Sequence, residues 1–496
     1  MPHINPFEVP EIRTLIGHHL DRSSQVKCMQ ISTAWHATML PLIWSTINLN
    51  GTQPLHNPSP DALERMCYFV KDLQVIRLPS QEYATLDYPN LRTLDIMHWI
   101  STSDSLDPPI CNRESAVTMA SLTRLTLSAI EIKDSNRFWG AIARLPSLKQ
   151  LGINWMTLSL PFWKACSKVE VLLLGFVTVL EYPQDDGMTF PRITKLALSL
   201  DPDSVFSVQE QLAFMSRCPL LESLLWCPKD RRPTLPSHVF EKQVSVGQWP
   251  RLEELVLHLP SFSDRDIAFI LGAMNRVIVS GNMQTNFGQL SFKALRFHFS
   301  TLRELDLYAS DGATSEMFAE VLASCPGLQK LLGNVVYAKD LVQSPPWVCL
   351  SLRTFGLTIR LDIFDIVTIM EVGLASGSRS LTVSSDELQR LVFGRLAGLK
   401  QLEVLNMSDR ELPFEQRALS LQLDNGLELL EDLKDLREIH FMGTEQMMME
   451  EDVVWMLEHW KKLEVVSGYL NADVQTEEDF LSDLLRRGGV QHMTEK

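Results

Sequence analysis

The feature that most constrains this chain is one recurring pattern: apolar, two variable, apolar, one variable, apolar. It stands at Leu91-Leu94-Ile96, Leu122-Leu125-Leu127, Leu148-Leu151-Ile153 and Val169-Leu172-Leu174, and again at Ile193-Leu196-Leu198, Leu221-Leu224-Trp226 and Leu252-Leu255-Leu257. A degenerate copy sits near Val277-Ile278-Val279, followed by Leu302-Leu305-Leu307, Leu328-Leu331-Gly333 and Leu352-Phe355-Leu357. Later copies are Leu402-Leu405-Met407, Leu436-Ile439-Phe441 and Leu463-Val466-Gly468. From Leu91 to Leu352, 261 residues take ten steps, a mean period of about 26. A unit of this size cannot bury its apolar side alone, so it must stack on its neighbours. Proline precedes many copies, as in Cys218-Pro219, Trp249-Pro250 and Cys325-Pro326, where it ends a preceding helix. Helices are expected over Glu210 to Arg217, Asp264 to Met274 and Glu316 to Ser324, with Ser263-Asp264 and Ser315-Glu316 as cap and first-turn residues.

That period lies within the window of about 20–29 residues typical of leucine-rich repeats. The expected fold is therefore α/β: a leucine-rich-repeat solenoid with parallel strands on the concave face and helices outside. It is assigned to residues 67–486, with a linker over 51–66 and a frayed tail over 487–496. The step from Leu352 to Leu402 is 50 residues, about two periods, and within it Leu361 to Val372 and Asp386 to Leu396 read as helices. The repeat leucines are core. The solvent-facing strand positions form a wall suited to gripping a protein. Its central row, from Asp95 and Thr126 to Asp306, Asn406 and His440, contains no Lys or Arg. A phosphorylated target is often held by an Arg cluster, so such a target is not expected on that row. Candidate target contacts are Asp95, Trp155, Trp226, Asp306 and Tyr308, because aromatic residues dominate binding hot spots; Trp226 is equally a repeat core position.

Charge and cysteine usage narrow the function classes. The 496 residues hold 45 Lys and Arg against 61 Asp and Glu, a net charge of −16. That disfavours nucleic acid and anionic membrane surfaces as partners. The eight cysteines are scattered with no C-x-x-C pair, so neither a zinc site nor a disulfide framework is expected. Reduced thiols in a cytoplasmic or nuclear protein are the expectation. The N-terminus does not read as a signal peptide, and the longest apolar stretch, Val171 to Leu180, is ten residues, against about 20 for a membrane span. There is no phosphate loop, dinucleotide fingerprint, H-E-x-x-H or nucleophile elbow. His18 and His19 are adjacent and point about 100° apart on a helix, so they do not share a ligand. Acidic runs such as Glu450-Glu451-Asp452 read as solvated faces. The chain is therefore read as non-enzymatic, with no catalytic residue, cofactor or metal.

Residues 5–50 depart from the repeat. Ile12, Leu15, Ile16 and Leu20 lie at helical spacing, and a second helix is expected from Ser24 to Leu40 with Val26, Cys28, Ile31 and Trp35 inward. Such a short piece must pack on the solenoid or on a partner. The segment Val9-Pro10-Glu11-Ile12, with Ile16, Leu20-Asp21, Ile31-Ser32, Trp35 and Leu42-Ile43-Trp44, resembles an F-box, and its opening is similar to fungal F-box-like proteins. An F-box followed by leucine-rich repeats resembles the substrate receptors of SCF-type ubiquitin ligases. The resemblance implies that Pro10, Ile12, Ile16, Leu20, Ile31 and Trp35 form or present a surface for the SCF adaptor subunit, and through it a cullin scaffold, while the solenoid holds a target protein for ubiquitination. The alternative is a non-catalytic interaction scaffold whose N-terminal helices only cap the first repeat, since solenoids need terminal caps.

Overall fold

The computed structural model describes residues 6–50, 57–76, 83, 86–97, 119–132, 134–183, 188–201, 203–227, 249–257, 263–272, 278–279, 286–308, 310, 312–361, 368–369, 381–382, 384–409, 418–444, 446–472 and 474–494. The chain divides into two compact units at residues 231 and 232. The loops expected over Ser101 to Cys111 and Pro228 to Pro236 lie outside the described residues.

Unit 1 opens with three helices, α1 (Pro10–His19), α2 (Arg22–Met29) and α3 (Thr33–Ser45). The single helix expected from Ser24 to Leu40 is thus two. Ser32 takes an extended conformation, and its hydroxyl accepts the Trp35 amide at 3.2 Å, which starts a new helix. That helix continues through Pro41. Asp21 caps α2 in the same way, accepting the Ser24 amide at 2.9 Å. Helix α3 runs directly into strand β1 (Thr46–Asn50), whose Ile47 and Leu49 are buried. Part of the expected linker is helical: α4 (Pro60–Met66) buries Leu63. Strand β2 (Asp72–Ile76) then pairs in parallel with β1, so the strand ladder begins at Thr46.

The ladder continues through β3 (Thr93–Met97), β4 (Arg124–Ser128) and β5 (Gln150–Asn154), passes the short β6 (Thr157–Leu158), and goes on to β7 (Val171–Val179), β8 (Lys195–Leu200) and β9 (Ser223–Cys227). Pairing is parallel and the register is constant through the central row, with one shift beyond it where β7 meets β8, between Gly175 and Val177. Asn48, Gln74, Asp95, Thr126, Gly152, Leu173, Ala197 and Leu225 stand opposite one another in a single row. The residues on either side of that row, such as Leu125 and Leu127 or Leu151 and Ile153, point inward and are fully buried. Each such leucine contributes roughly 2 kcal/mol of apolar burial. On the helix side, Phe162, Trp163, Phe190 and Phe214 are fully buried and meet edge to face.

Unit 2 pairs β10 (Glu254–Leu257) with β11 (Ile278–Val279), so the degenerate copy is a strand. Strands β12 (Glu304–Asp306), β13 (Lys330–Tyr337) and β14 (Thr354–Arg360) follow. A short antiparallel pair, β15 (Thr368–Ile369) and β16 (Leu381–Thr382), precedes β17 (Val404–Asn406), β18 (Glu438–His440), β19 (Val465–Ser467) and β20 (Gln491–Met493). The parallel sheet runs β12-β13-β14-β17-β18-β19-β20. Strand β14 pairs directly with β17, Phe355 opposite Leu405, so the 50-residue step is one crossover. Both units are thus stretches of an α/β leucine-rich-repeat solenoid.

Three expectations are corrected here. Within the helix expected over Leu361 to Val372, Thr368–Ile369 is instead a strand, as its two β-branched residues favour, and residues 362–367 and 370–372 lie outside the described residues. Residues 487–494 are not frayed. The helix Gln475–Arg487 leads into β20, and His492 bonds Ser482 Oγ at 3.0 Å and the Gly468 carbonyl at 2.9 Å. Ser263 is a helix cap as expected, exchanging hydrogen bonds with Asp266. Ser315, by contrast, is the first residue of its helix, one position after the cap residue Thr314, and accepts the Tyr337 amide at 2.9 Å.

Neighbouring repeats in unit 2 are also tied by charge. Asp264, on the helix Asp264–Gly272, accepts the Gly288 and Ser291 amides at 2.8 Å and the Leu290 amide at 2.9 Å, capping the next helix, Gln289–Leu295. Burial pushes its carboxyl up, but these bonds outweigh it and hold the group below its ordinary 3.8. A lowered carboxyl stabilises the fold above its ordinary range, and that contribution is lost as pH falls through the lowered value. Asp264→Ala should therefore cost about 1–2 kcal/mol near neutral pH. Hydrogen exchange should speed up at the Leu290 and Ser291 amides, and the difference from the parent chain should shrink in acid. Unchanged exchange at these amides would contradict the cap.

Candidate functional site

Helix α1 buries the residues its composition would least suggest. Its two buried positions are Arg13 and Gly17, four residues apart and so on one face. Gly17 lets α3 approach closely: a Cβ there would stand 2.5 Å from Leu42 Cδ1 and 2.8 Å from Met39 Cε. Arg13 Nε donates to Thr38 Oγ1 at 3.3 Å, and Nη1 donates to the Phe7 and Glu8 carbonyls at 3.2 and 3.1 Å. Gln25 Nε2 donates to the Gly17 carbonyl at 2.9 Å, joining α2 to the end of α1. With these contacts inward, Ile12 and Leu15 are left outward and Ile16 is half-buried. Leu15 is 61% exposed and Ile12 36%.

The expected adaptor-contact residues are distributed as follows. Pro10, in the first turn of α1, and Ile12 are exposed, whereas Ile16 and Leu20 are half-buried. Ile31, in the turn between α2 and α3, is 64% exposed, and Trp35 is half-buried. The expected inward set is therefore corrected for Val26 and Ile31, because α2 buries no residue and the chain turns at Ile31. Phe7, Leu15 and Val26 join the exposed apolar set without having been singled out as contacts. Leu15 was legible as part of the apolar stripe. What the sequence concealed is that Arg13 and Gly17 face α3.

The second candidate surface is the solvent side of each sheet. In unit 1, Asp95 is half-buried in the central row, and no described group hydrogen-bonds its Oδ1. Trp155 follows β5, 61% exposed, and stacks face to face on Phe176 at 4.4 Å and 6°. Ala129 and Trp155 follow β4 and β5, Phe176 lies within β7 at the same repeat offset, and all three have φ between 52° and 56°. The repeat period thus places Phe176 beside Trp155. Non-glycine residues held in this left-handed conformation carry backbone strain, which clusters at binding sites. Trp226 is corrected: it is 1% exposed and donates Nε1 to Gln211 Oε1 at 2.7 Å inside the core. The central row is free of Lys and Arg, but the row beside it carries Arg124, Lys195 and Lys330.

In unit 2 the structure brings Asp306 and Tyr308 to one cavity of about 360 Å³ on the sheet face, together with Leu332, Thr358, Asn406, Ser408, His440 and Met442. Its side chains are fixed by the backbone. The Tyr308 amide donates to Asp306 Oδ1 at 3.0 Å, the Ser408 amide to Asn406 Oδ1 at 3.0 Å, and the Met442 amide to Ser408 Oγ at 3.1 Å. His440 Nε2 lies 3.1 Å from Glu438 Oε2. Beyond the cavity on the same strands, Arg360 Nη2 and Nε donate to Asp409 Oδ2 at 2.7 and 3.2 Å. Among the described residues no group of three or more His, Cys, Asp or Glu side chains is arranged to hold a metal ion.

No protein-family model matches the chain, and no curated protein matches it. Among solved structures it is similar to a leucine-rich-repeat protein of Leptospira interrogans, at 15% identity over 83% of this chain and 92% of that one, with a TM-score of 0.43. It is also similar to an internalin of Listeria monocytogenes, at 11% identity over 87% and 88% of the two chains and a TM-score of 0.33. A third similarity is to TLR13 in its complex with ssRNA13, at 12% identity over 86% and 74% and a TM-score of 0.32. The repeat architecture itself rests on the strand ladder described above.

The two tryptophans give a direct contrast. Trp226→Ala should cost about 3–5 kcal/mol, because it opens a core cavity and strands Gln211. Trp155→Ala should cost under about 1.5 kcal/mol, the stacking contribution alone. Thermal melts of the two variants should differ accordingly, and equal losses would place Trp155 in the core.

Proposed function

We propose that the chain is the substrate-recognition subunit of an SCF-type ubiquitin ligase, its N-terminal helices docking the adaptor and its sheet faces holding a target protein. The observation that carries this reading is the inversion of α1, which turns Arg13 and Gly17 inward and Ile12 and Leu15 outward. Contiguous apolar exposure on a small helical unit is what a docking element requires. The F-box resemblance at Pro10, Ile12, Ile16, Leu20, Ile31 and Trp35 supports the same reading, and names the partner as the SCF adaptor, with a cullin scaffold behind it. In this role the chain supplies proximity and carries no bond-making chemistry of its own. It works in the cytoplasm or nucleus, where its cysteines stay reduced; the seven described ones are free.

A second reading is favoured by one observation. Helix α3 continues without a break into β1, the first strand of the ladder, as a terminal cap would. On that reading the chain is an interaction scaffold without a ligase.

Adaptor capture separates the two. The intact chain should retain purified SCF adaptor subunit, and the double variant Ile12→Asp, Leu15→Asp should lose at least about tenfold in affinity. Both positions are exposed, so circular dichroism should show an unchanged fold. An intact, folded chain that ignores the adaptor would leave the scaffold reading.

A further inference from the structure

The cavity on the sheet face of unit 2 has a one-sided chemistry. Among the described residues its lining holds a carboxylate (Asp306), a carboxamide, hydroxyls and an imidazole, but no ammonium or guanidinium group. The basic groups nearest to it along the strands already face acids. Lys330 stands opposite Glu304 in register, and Arg360 is bound to Asp409. Glu438 adds a second carboxylate beside His440. At the rim Tyr308 keeps 38% of its surface exposed, enough to offer its ring to a cation. Leu332 and Met442 give the cavity apolar walls, which suit an aliphatic stem.

We propose that this cavity takes the cationic end of a lysine or arginine side chain of the bound target, the stem lying on Leu332 and Met442 and the charge between Asp306 and the Tyr308 ring. The assignment rests on the reading of the sheet face as a target-binding wall, and not on adaptor docking. The size agrees: about 360 Å³ accommodates one long side chain and little more. The polar groups agree as well. Backbone amides hold the Asp306, Asn406 and Ser408 oxygens in place before any ligand arrives, so little ordering remains to be done on binding. A phosphate group, by contrast, would meet the Asp306 carboxylate with no ammonium or guanidinium group among the described lining residues to offset it.

The test uses the full chain and a fluorescein-labelled octa-arginine peptide at about 150 mM salt, where long-range attraction to the acidic surface is screened. Asp306→Asn keeps the oxygen that accepts the Tyr308 amide, so the fold is retained. It should weaken peptide binding about tenfold, and Tyr308→Ala about fivefold. Glu431→Gln, an exposed acid away from the cavity, should leave binding unchanged. Equal weakening by Asp306→Asn and Glu431→Gln would overturn the proposal, as generic attraction to an acidic chain, and so would the absence of peptide binding. A chain that ignores the adaptor but holds the peptide through Asp306 loses the ligase and keeps the cavity. One that captures the adaptor but ignores the peptide loses the cavity alone.

Discussion

The structure depends on parallel strand pairing in a register that is kept through the central row of every repeat and shifts only beyond it, in β7 and β13. Because side chains alternate along a strand, a fixed register puts every inward leucine over the next and every outward residue in a row. Slipping one strand by a single residue would turn Leu125 and Leu127 to solvent and drive Thr126 into the core. Buried leucines therefore do more than stabilise each repeat. They hold the outward rows in line, so that residues about 26 positions apart in sequence, such as Asp306 and Leu332, become neighbours.

The N-terminal helices follow a different rule. There the close approach of α1 and α3 is set by a glycine and sealed by an arginine that bonds to carbonyls and a threonine. A helix packed through its small and polar residues leaves Ile16 only half-buried and turns Ile12 and Leu15 outward. The exposure of Ile12 and Leu15 is a direct consequence of how the unit holds together, and their replacement by polar residues is expected to spare the fold.

Much of this was legible in the sequence. The repeat gives the strands, the central row and the inward leucines, because apolar spacing and burial are the same physical fact. It also gives Asp306 and Tyr308 as surface residues, though not the cavity, which needs five strands brought side by side. Trp226 shows the limit of residue type: its position in the repeat, an inward one, decided its fate over its aromatic character. The start of the ladder at Thr46 and the parallel strand Gln491–Met493 were hidden because each lies beyond the clear pattern, where pairing partners rather than periodicity define a strand. The orientation of α1 was hidden because a glycine and an arginine on the packed face look, in sequence, like breaks in an apolar stripe.

Docking through the outward face of α1 can be measured directly by hydrogen exchange on the full chain, with and without the purified SCF adaptor subunit. Adaptor-induced protection is expected within residues 7–35, where Phe7, Ile12, Leu15, Val26 and Ile31 lie exposed, while the central strands of both units stay unchanged. Protection absent there, or present only on the sheet strands, would contradict a docking role for the N-terminal helices.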